Sequence, residues 1–525
     1  MVMSSFRRFL RRTTKREVPA LAPFDSRTPL IRWSESDVFR IANACEGTAI
    51  FGSTGSGKSS GSARQLALSM LRAGSGGLVL SAKNERDTWI ELCAETGRSS
   101  DLLIFEPNGE WAFDPFDFEM RRGGRGSGSV ENVISLLSTL VSFAERGAGG
   151  KGGSGREGED FWRRAMQEML RNFAWLLYLA TGTVTLDGLC EAINSAPQSP
   201  EQVGSESWKS WSGCFALLAE ADTKIDTPAK RRELVLVTDY VLRLFPALSE
   251  RTRSVIVTSF TSLADVLRRG RMHQLFGGRS SMTPEYTEEG SIILVDVPVL
   301  EYGVEGLLAN AIMKHCWCQW IQRRSVVRSP RPVFLFSDEG HHFVTPEDAL
   351  FQTTCRASRV ATVLITQSIA NLRTALGGGE TGRETADALL ANLNTRIFHA
   401  NGDPTTNEYA ANLIGKRREL LMNGGDSRPQ GEWASEALGL GAPGQVNAGF
   451  SEHWDHEVRP ESFPLLRTGG VEHGGLVDAI VVRNGGVFRD TNKVWRKATF
   501  RQAPLPFVPQ PSSPAAAKGG DLHAG

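Results

Sequence analysis

The sequence lacks any run of about eighteen apolar residues, the length that a helix needs to cross a bilayer. It also has no excess charge, since 59 basic residues balance 59 acidic ones. A neutral total argues against non-specific coating of nucleic acid but leaves room for a local basic groove or pore. The seven cysteines form no C-x-x-C pair and no regular framework, a pattern typical of reduced thiols. The sequence therefore predicts a cytoplasmic protein with no intrinsic membrane span.

Both ends of the chain look unlike folded structure. The start, FRRFLRRTTKR, is basic and amphipathic but has no apolar core of a signal peptide. This segment either contacts an anionic membrane, a nucleic acid or an acidic partner, or is a disordered basic tail. We predict a flexible arm over residues 1–35 and a disordered tail over 503–525, which is rich in Pro, Ala and Gly.

The stretch TAIFGSTGSGKSS predicts a strand, a phosphate-binding loop and a helix start. The spacing G-x-x-x-x-G-K-S is met by Gly52, Gly57, Lys58 and Ser59. Lysine in this motif reaches the β- and γ-phosphates of ATP, and the hydroxyl of the following Ser binds Mg²⁺. A Gly/Ser-rich loop that matches by chance is the alternative. The predicted nucleotide-binding residues are Gly52, Ser53, Thr54, Gly55, Ser56, Gly57, Lys58, Ser59 and Ser60.

Short apolar runs recur at the spacing of parallel strands joined by helices. Examples are LVLS from Leu78, LLIF from Leu102 and SIILVDV from Ser291, while Ala479–Val482 is a candidate edge strand. Between the second and third runs the periodicity is helical. We predict an α/β fold with a mainly parallel sheet whose two parts, 36–120 and 281–502, flank an inserted all-helical domain with glycine-rich loops at 121–280.

The run VFLFSDEG predicts a buried strand that delivers Asp338 and Glu339 at its carboxyl end. Ligands of open α/β sheets bind at this edge. In a phosphate-loop enzyme, Asp338 would hold Mg²⁺ through water together with Ser59, and Glu339 would polarise the attacking water. A strand that ends in Asp-Glu is common, so the prediction depends on its pairing with Lys58.

Two further residues are candidates for the reaction. Gln367 ends the predicted strand ATVLIT, where its amide could hydrogen-bond the γ-phosphate or its water; the alternative is a polar turn residue. Arg356 precedes that strand and, in a ring of subunits, an arginine placed there reaches the γ-phosphate of the neighbour. A surface ion pair is the alternative for Arg356.

Two other charged sets carry weaker signals. The pair His341-His342 is an unconvincing metal site, because no third ligand follows at a suitable spacing. Basic residues of the inserted region either line a DNA path or form a solvated charged face. They are Lys151, Arg156, Arg251, Arg253, Arg268, Arg269 and Arg271.

Together these motifs resemble the conjugative DNA-transfer coupling proteins of type IV secretion, within the FtsK/HerA class of ring-forming motor ATPases. The resemblance spans about Ala49 to Phe500 and is carried by GSTGSGKS, LVLSAKNE, FLFSDEGHHF, CRASRVATVLITQSIANL and NLNTRIFHANGDPTTNEYAANLIG. It implies a RecA-like, ATP- and Mg²⁺-dependent hexameric ring that translocates DNA, with Arg356 at the arginine-finger position and Gln367 at the nucleotide-sensing one.

The resemblance also implies partners, namely DNA, further copies of the chain, and secretion-channel, relaxosome or effector proteins that would hold it at the inner membrane. The chain departs from the family in lacking membrane helices and in having Ser81-Ala82-Lys83 where an acidic residue usually precedes the lysine. Two alternatives to a coupling motor stay open: an ATP-gated recruitment or scaffold protein, and a DNA-processing, packaging or antiphage motor with a partner nuclease.

Overall fold

The computed structural model describes residues 21–123, 126, 128–147, 156–427 and 445–502. Side chains are described in these ranges except at 146–147, 156–160 and 420–451. The predicted arm at 1–20, the predicted tail at 503–525 and Lys151 lie outside the described residues.

The described residues form thirteen strands. They are β1 Pro29–Arg32, β2 Val38–Arg40, β3 Thr48–Phe51, β4 Gly76–Leu80, β5 Leu102–Phe105, β6 Ile292–Val295, β7 Val333–Ser337, β8 Val360–Thr366, β9 Thr395–Phe398, β10 Lys416–Ser427, β11 Gln445–His456, β12 Leu476–Arg483 and β13 Trp495–Arg501.

Helices connect these strands and fill the region between β5 and β6. They are α1 Ile41–Ala44, α2 Arg64–Arg72, α3 Arg86–Glu95, α4 Pro115–Arg121, α5 Val130–Gly147, α6 Arg156–Thr181, α7 Leu186–Asn194, α8 Pro200–Val203, α9 Glu206–Trp211, α10 Gly213–Lys224, α11 Pro228–Asp239, α12 Phe245–Ala247, α13 Glu250–Leu267, α14 Gly270–Phe276, α15 Tyr286–Glu289, α16 Val299–Tyr302, α17 Val304–Arg323, α18 Glu347–Cys355, α19 Ile369–Ala375, α20 Gly379–Ala391 and α21 Pro404–Ile414. The turn Ser59–Ala63 is π-helical and runs directly into α2.

Nine of the strands form one sheet, in the order β13-β12-β9-β3-β8-β7-β4-β6-β5. The pairs from β9 to β5 are parallel, and β12 and β13 are antiparallel additions. This confirms the predicted α/β fold with a mainly parallel sheet. The central strands β3, β8 and β7 lie side by side, so their carboxyl ends meet at one place.

Helices cover both faces of the sheet. Along β4, Leu78 and Leu80 pack into one apolar core and Val79 into the other, as the alternation of side chains in a strand requires. The first of these cores continues without a break into the helices between β5 and β6. The insertion therefore packs onto the sheet, while the domain boundaries stay a prediction.

The structure corrects three expectations about single segments. Residues 29–35 do not belong to a flexible arm, because Ile31 is buried and the Trp33 ring packs edge-on against Phe39 and Phe500 at centroid distances of 5.9 and 6.0 Å. The segment Ala479–Val482 lies in β12, which β13 covers, so it is not the edge of the sheet. The glycine-rich segment GAGGKGGSGREG, residues 147–158, was expected to be a flexible loop, but helix α6 begins within it at Arg156.

No single helix in the described ranges combines the length and apolarity needed to cross a bilayer. One pair of helices, Phe161–Thr181 and Leu186–Asn194, meets the criterion only when taken together, and that pair is bent by 112°.

Candidate nucleotide-binding site

A cavity of about 490 Å³ lies where the central strands end. Its lining contains most of the residues predicted from the sequence, including the loop from Thr54 to Ser60, Glu339 and Gln367. Lys83, Leu300, His341 and His342 complete the lining. The motifs that are far apart in the chain therefore meet at one site.

The phosphate-binding loop follows β3 and ends at the helix start, as the motif predicts. Gly57 has φ +80°, and a Cβ atom there would lie 2.6 Å from Val477 Cγ2 and 2.9 Å from the Thr468 carbonyl oxygen. Only glycine fits both the conformation and the space. Lys58, Ser59 and Ser60 occupy the N-terminal turn of the helix, whose backbone N–H groups have no intrahelical acceptor and form a natural phosphate site.

His399 connects the helical turn that follows this loop to strand β12. Its Nδ1 atom lies 3.1 Å from the Asp478 carbonyl oxygen, and its Nε2 atom lies 2.7 Å from Ser62 Oγ. Burial lowers the pKa of His399 to about 4, so the ring is neutral. Because a carbonyl only accepts, Nδ1 donates to Asp478 and Nε2 accepts from the Ser62 hydroxyl.

Asp338 lies directly beneath the loop and is 2% exposed. Its Oδ2 atom accepts hydrogen bonds from Ser59 Oγ and from Lys83 Nζ, both at 2.7 Å, and its Oδ1 atom accepts from the Glu339 backbone N–H at 2.9 Å. Burial raises the pKa of Asp338, but the Lys83 ammonium and the Ser59 hydroxyl outweigh burial and bring it below the ordinary value. Asp338 is therefore ionised.

A second carboxyl group, Glu85, lies behind Asp338 and is also buried. Burial, followed by the charge of Asp338, raises its pKa above the ordinary value. Trp89 Nε1 donates to Glu85 Oε2 at 3.4 Å. Lys83 and Glu85 were not predicted as site residues, although both follow the end of β4, the neighbour of β7 in the sheet.

Glu339 points its carboxylate at the lysine of the phosphate-binding loop. Its Oε1 atom lies 3.4 Å from Lys58 Nζ and accepts from Gln367 Nε2 at 3.3 Å, while its buried Oε2 atom has no hydrogen-bond partner among the described residues. Its backbone has φ +49°, a left-handed conformation that non-glycine residues adopt mainly where structure or function imposes it. A buried, unpaired carboxylate oxygen beside Lys58 suits a group that binds water.

Gln367 is held in place by a residue that follows β9, on the far side of β3. Asn401 Nδ2 donates to the Gln367 carbonyl oxygen at 2.9 Å, and Ser53 Oγ donates to Asn401 Oδ1 at 3.3 Å. Asn401 thus connects the loop after β3 to the end of β8. Its role was missed because only the order of strands in the sheet reveals it.

His341 and His342 lie at the mouth of the cavity with ring centroids 4.4 Å apart. Burial lowers the pKa of His341 to about 4, and the neighbouring His342 acts in the same direction. The His341 Nδ1 atom lies 3.3 Å from Thr366 Oγ1 and 3.6 Å from Glu339 Oε2. The described residues contain no group of three or more His, Cys, Asp or Glu side chains arranged to hold a metal ion.

Arg356 is not among the residues that line the cavity. It lies at the end of α18, is 75% exposed in its side chain, and its Nη1 atom lies 3.6 Å from Glu46 Oε1. Within one subunit it therefore makes a weak surface ion pair and no contact with the other predicted site residues.

The donor set fits a magnesium nucleotide. Ser59 and Asp338 offer the hydroxyl and carboxylate oxygens that Mg²⁺ takes beside phosphate oxygens, and they already lie 2.7 Å apart. The buried Ser56 Oγ and Glu339 Oε2 atoms, which have no hydrogen-bond partner, face the same cavity lining. The loop, Lys58 and this pair have the chemistry that a triphosphate site requires.

Residues 332–439 match the family TraG-D_C, described as the TraM recognition site of TraD and TraG. The fold is similar to the bacterial conjugative coupling protein TrwBdeltaN70 in its unbound monoclinic form, with a TM-score of 0.55 and 16% identity over 90% of this chain and 89% of that one. The resemblance to conjugative coupling proteins is confirmed. Over residues 332–439 the likeness is one of sequence, and over the whole chain it is one of fold.

Two nucleotide complexes of the plasmid coupling protein TrwB have the same fold. The complex with the non-hydrolysable ATP analogue ADPNP matches with a TM-score of 0.52 and 16% identity over 93% of this chain and 92% of that one. The complex with ADP and Mg²⁺ matches with a TM-score of 0.53 and 16% identity over 89% of this chain and 87% of that one. No curated protein matches the chain in sequence.

Proposed function

We propose that this chain is an ATP-hydrolysing motor that translocates DNA, as a coupling protein-like ATPase of conjugative or mobile-element DNA transfer. The observation that carries the proposal is the convergence of Lys58, Glu339 and Gln367 beside the Ser59–Asp338 pair. One site therefore combines a lysine that can bind phosphate, two oxygen ligands that can hold Mg²⁺ and a carboxylate that can accept a proton from water. The fold shared with TrwB, solved with an ATP analogue and with ADP and Mg²⁺, supports the choice of nucleotide and metal.

The residues divide the work of hydrolysis. The loop N–H groups and Lys58 bind the phosphates and stabilise the charge that develops on the γ-phosphoryl oxygens. Ser59 and Asp338 would hold Mg²⁺, which neutralises phosphate charge when bound. Glu339 accepts a proton from the attacking water as the water oxygen bonds to the γ-phosphorus and the bond to the ADP oxygen breaks. Gln367 orients the Glu339 carboxylate, or its water, for this transfer.

Arg356 fits a role between subunits. An arginine that is 75% exposed and forms a 3.6 Å ion pair with Glu46 could leave that pair to enter a neighbour's site, where it would stabilise the transferring phosphoryl group. We therefore propose a homo-oligomeric ring, a hexamer by analogy with motors of this class, in which each site is completed by the next subunit.

Three arginines of the insertion have acidic partners, whereas Arg253 is hydrogen-bonded to the Gln198 side chain and the Leu248 carbonyl oxygen. Arg268 pairs with Asp187, Arg269 with Asp265 and Arg271 with Glu305. These pairs reduce the positive charge that Arg268, Arg269 and Arg271 could offer to a phosphate backbone. We therefore propose that DNA passes through the centre of a ring rather than along these three residues.

The deciding experiment measures ATP turnover alone, with single-stranded DNA and with double-stranded DNA, at low salt. A motor gives DNA-stimulated turnover and DNA binding. Turnover that DNA leaves unchanged, together with no DNA binding, would reject translocation.

A second candidate function is ATP-gated recruitment of protein partners, such as relaxosome components. It is favoured by the family match at 332–439, whose description names a site for recognition of the protein TraM. This segment contains Asp338, Glu339 and Gln367, so nucleotide state and partner contact would be coupled within it. Nucleotide-dependent binding of a partner with no DNA stimulation would support this function instead.

A further inference from the structure

Lys83 occupies a position on Asp338 that a bound metal would need. The Asp338 Oδ2 atom accepts from Ser59 Oγ and from Lys83 Nζ, each at 2.7 Å, and a carboxylate oxygen has two lone pairs. The other oxygen, Oδ1, accepts the Glu339 N–H at 2.9 Å. Both lone pairs of the oxygen that faces Ser59 are therefore in use.

Ser59 and Lys83 differ in what happens when a metal arrives. Ser59 becomes a metal ligand through its own oxygen and keeps its hydrogen bond to Asp338. Lys83 has no lone pair to offer a metal and carries a positive charge that repels one. A hydrated Mg²⁺ ion that binds between Ser59 and Asp338 must therefore displace Lys83.

The surroundings of Lys83 allow this displacement. Its side chain is 43% exposed and lines the cavity, whereas the side chain of its partner Asp338 is 2% exposed. The lysine stem can swing while the carboxylate stays fixed. The cavity into which it would move is the one that the phosphates fill, so a bound nucleotide would give the ammonium a new negative partner in place of Asp338.

We propose that Lys83 is a tethered cation that occupies the metal position of Asp338 until a magnesium nucleotide arrives, so that the site takes Mg²⁺ together with the nucleotide and not alone. This inference rests on the proposed nucleotide-binding function. Lys83 would not touch the reacting atoms, because it acts on the metal through Asp338. Its removal opens the site to a free divalent ion.

The test is binding of Mn²⁺ alone, in the absence of nucleotide, followed by the loss of the free-ion electron paramagnetic resonance signal. Lys83→Met is expected to bind Mn²⁺ about tenfold more tightly than the unaltered chain, because a neighbouring opposite charge shifts cation binding at a carboxylate by a decade or more. Lys83→Arg keeps the cation and is expected to bind like the unaltered chain. Lys83→Ala serves as a second neutral variant should the Met variant fail to fold.

The matched control is Lys497→Met. Lys497 Nζ lies 2.9 Å from Oδ2 of Asp478, another buried carboxylate, but outside the cavity lining. Its variant is expected to leave Mn²⁺ affinity unchanged. The double variant Lys83→Met with Asp338→Asn is expected to lose the added affinity. That loss would show that the Mn²⁺ ion binds at Asp338.

Failure of this inference is distinguishable from failure of the proposed function. Binding of a fluorescent ATP analogue with Mg²⁺ is measured on the same preparations. If the unaltered chain does not bind the analogue, the nucleotide site itself is wrong. If it binds the analogue but the folded neutral Lys83 variants bind Mn²⁺ no more tightly, or Lys497→Met produces the same gain, Lys83 does not guard Asp338.

Discussion

The Nε2 atom of Gln367 lies 3.3 Å from the Oε1 atom of Glu339, and the same carboxylate oxygen lies 3.4 Å from Lys58 Nζ. One oxygen therefore receives an amide from β8 and an ammonium from the loop after β3, while its carboxylate projects from the end of β7. Motion of any of these strand ends changes the environment of Glu339. The contact offers a direct way for nucleotide state to reach the rest of the fold.

Gln367→Ala removes the amide and leaves the Glu339 carboxylate with Lys58 as its remaining partner among these three. We expect ATP turnover to fall by about 10²-fold, within the range for misplacing a general base or its water. The KM for ATP should change little, because the loop N–H groups and Lys58 that bind the phosphates are unchanged. Steady-state kinetics check this, and a variant with raised KM and unchanged kcat would assign Gln367 to substrate binding.

Lys58→Ala and Glu339→Gln are both expected to abolish ATP turnover, for different reasons. The first removes the phosphate grip and should weaken nucleotide binding, whereas the second keeps the shape of the side chain and should retain binding. Binding of a fluorescent nucleotide, measured beside turnover, separates them. Equal loss of binding in both variants would mean that Glu339 does not act as the base.

The sequence was sufficient to predict the site residues that belong to a recognisable local motif. Lys58 and Ser59 belong to a loop whose spacing follows from phosphate geometry, and Asp338 and Glu339 end an unmistakable apolar strand. Because carboxyl ends of parallel strands share an edge of the sheet, these residues were expected to lie together, and Lys58, Ser59 and Glu339 line one cavity while Asp338 is bonded to Ser59. The roles of these residues stay predictions until variants are measured.

Residues that depend on strand order were harder to foresee. Lys83 and Asn401 act on the site because β4 adjoins β7 and β9 adjoins β3, an order that no local pattern contains. Strand β13 was missed because its exposed, charged positions leave Phe500 as its single buried residue. The pair β10 and β11 forms a separate two-stranded antiparallel sheet that is not part of the main one.

Gly77→Ala tests the packing of the sheet against α3. A methyl group at Gly77 would overlap the ring of Phe334, which stacks on Trp89 with centroids 5.8 Å apart. We expect a loss of about 1–3 kcal/mol in the free energy of unfolding, the usual cost of overpacking a core. Denaturant unfolding measures it, and Gly204→Ala, where a Cβ atom meets nothing within 4 Å, is the matched control.

Adding Phe334→Leu to Gly77→Ala should restore part of that loss, because the smaller side chain frees the space that the methyl group needs. A double variant whose destabilisation equals the sum of the two single ones would show that Gly77 is required for another reason.

Asp37→Asn tests the pH dependence of stability. Burial raises the pKa of Asp37, but hydrogen bonds from the Arg489 backbone N–H and the Ser34 and Ser36 hydroxyls outweigh it and bring the pKa to about 2. A group whose pKa is lower in the folded chain than in the unfolded chain stabilises the fold at any pH above its unfolded pKa. This contribution disappears as the pH falls through the folded pKa. The variant should therefore melt about 2–4 °C lower at pH 7, with the difference shrinking as the pH falls from 4 to 2. Thermal unfolding across this range measures it, and a constant difference would exclude ionisation as the cause.

Mixing two inactive variants tests the role of Arg356. Lys58→Ala subunits lack a working phosphate site but keep the arginine, while Arg356→Ala subunits keep the site and lack the arginine. Because Arg356 is exposed and does not line the cavity of its own subunit, a mixed ring should place intact arginines beside intact sites and recover part of the ATP turnover. Turnover is measured over a series of mixing ratios, with Arg383→Ala as a control, since Arg383 is comparably exposed and pairs with Asp387 on α20. That variant should stay active by itself. Absence of recovery at every ratio, with rings shown to form, would mean that Arg356 does not act on a neighbouring subunit.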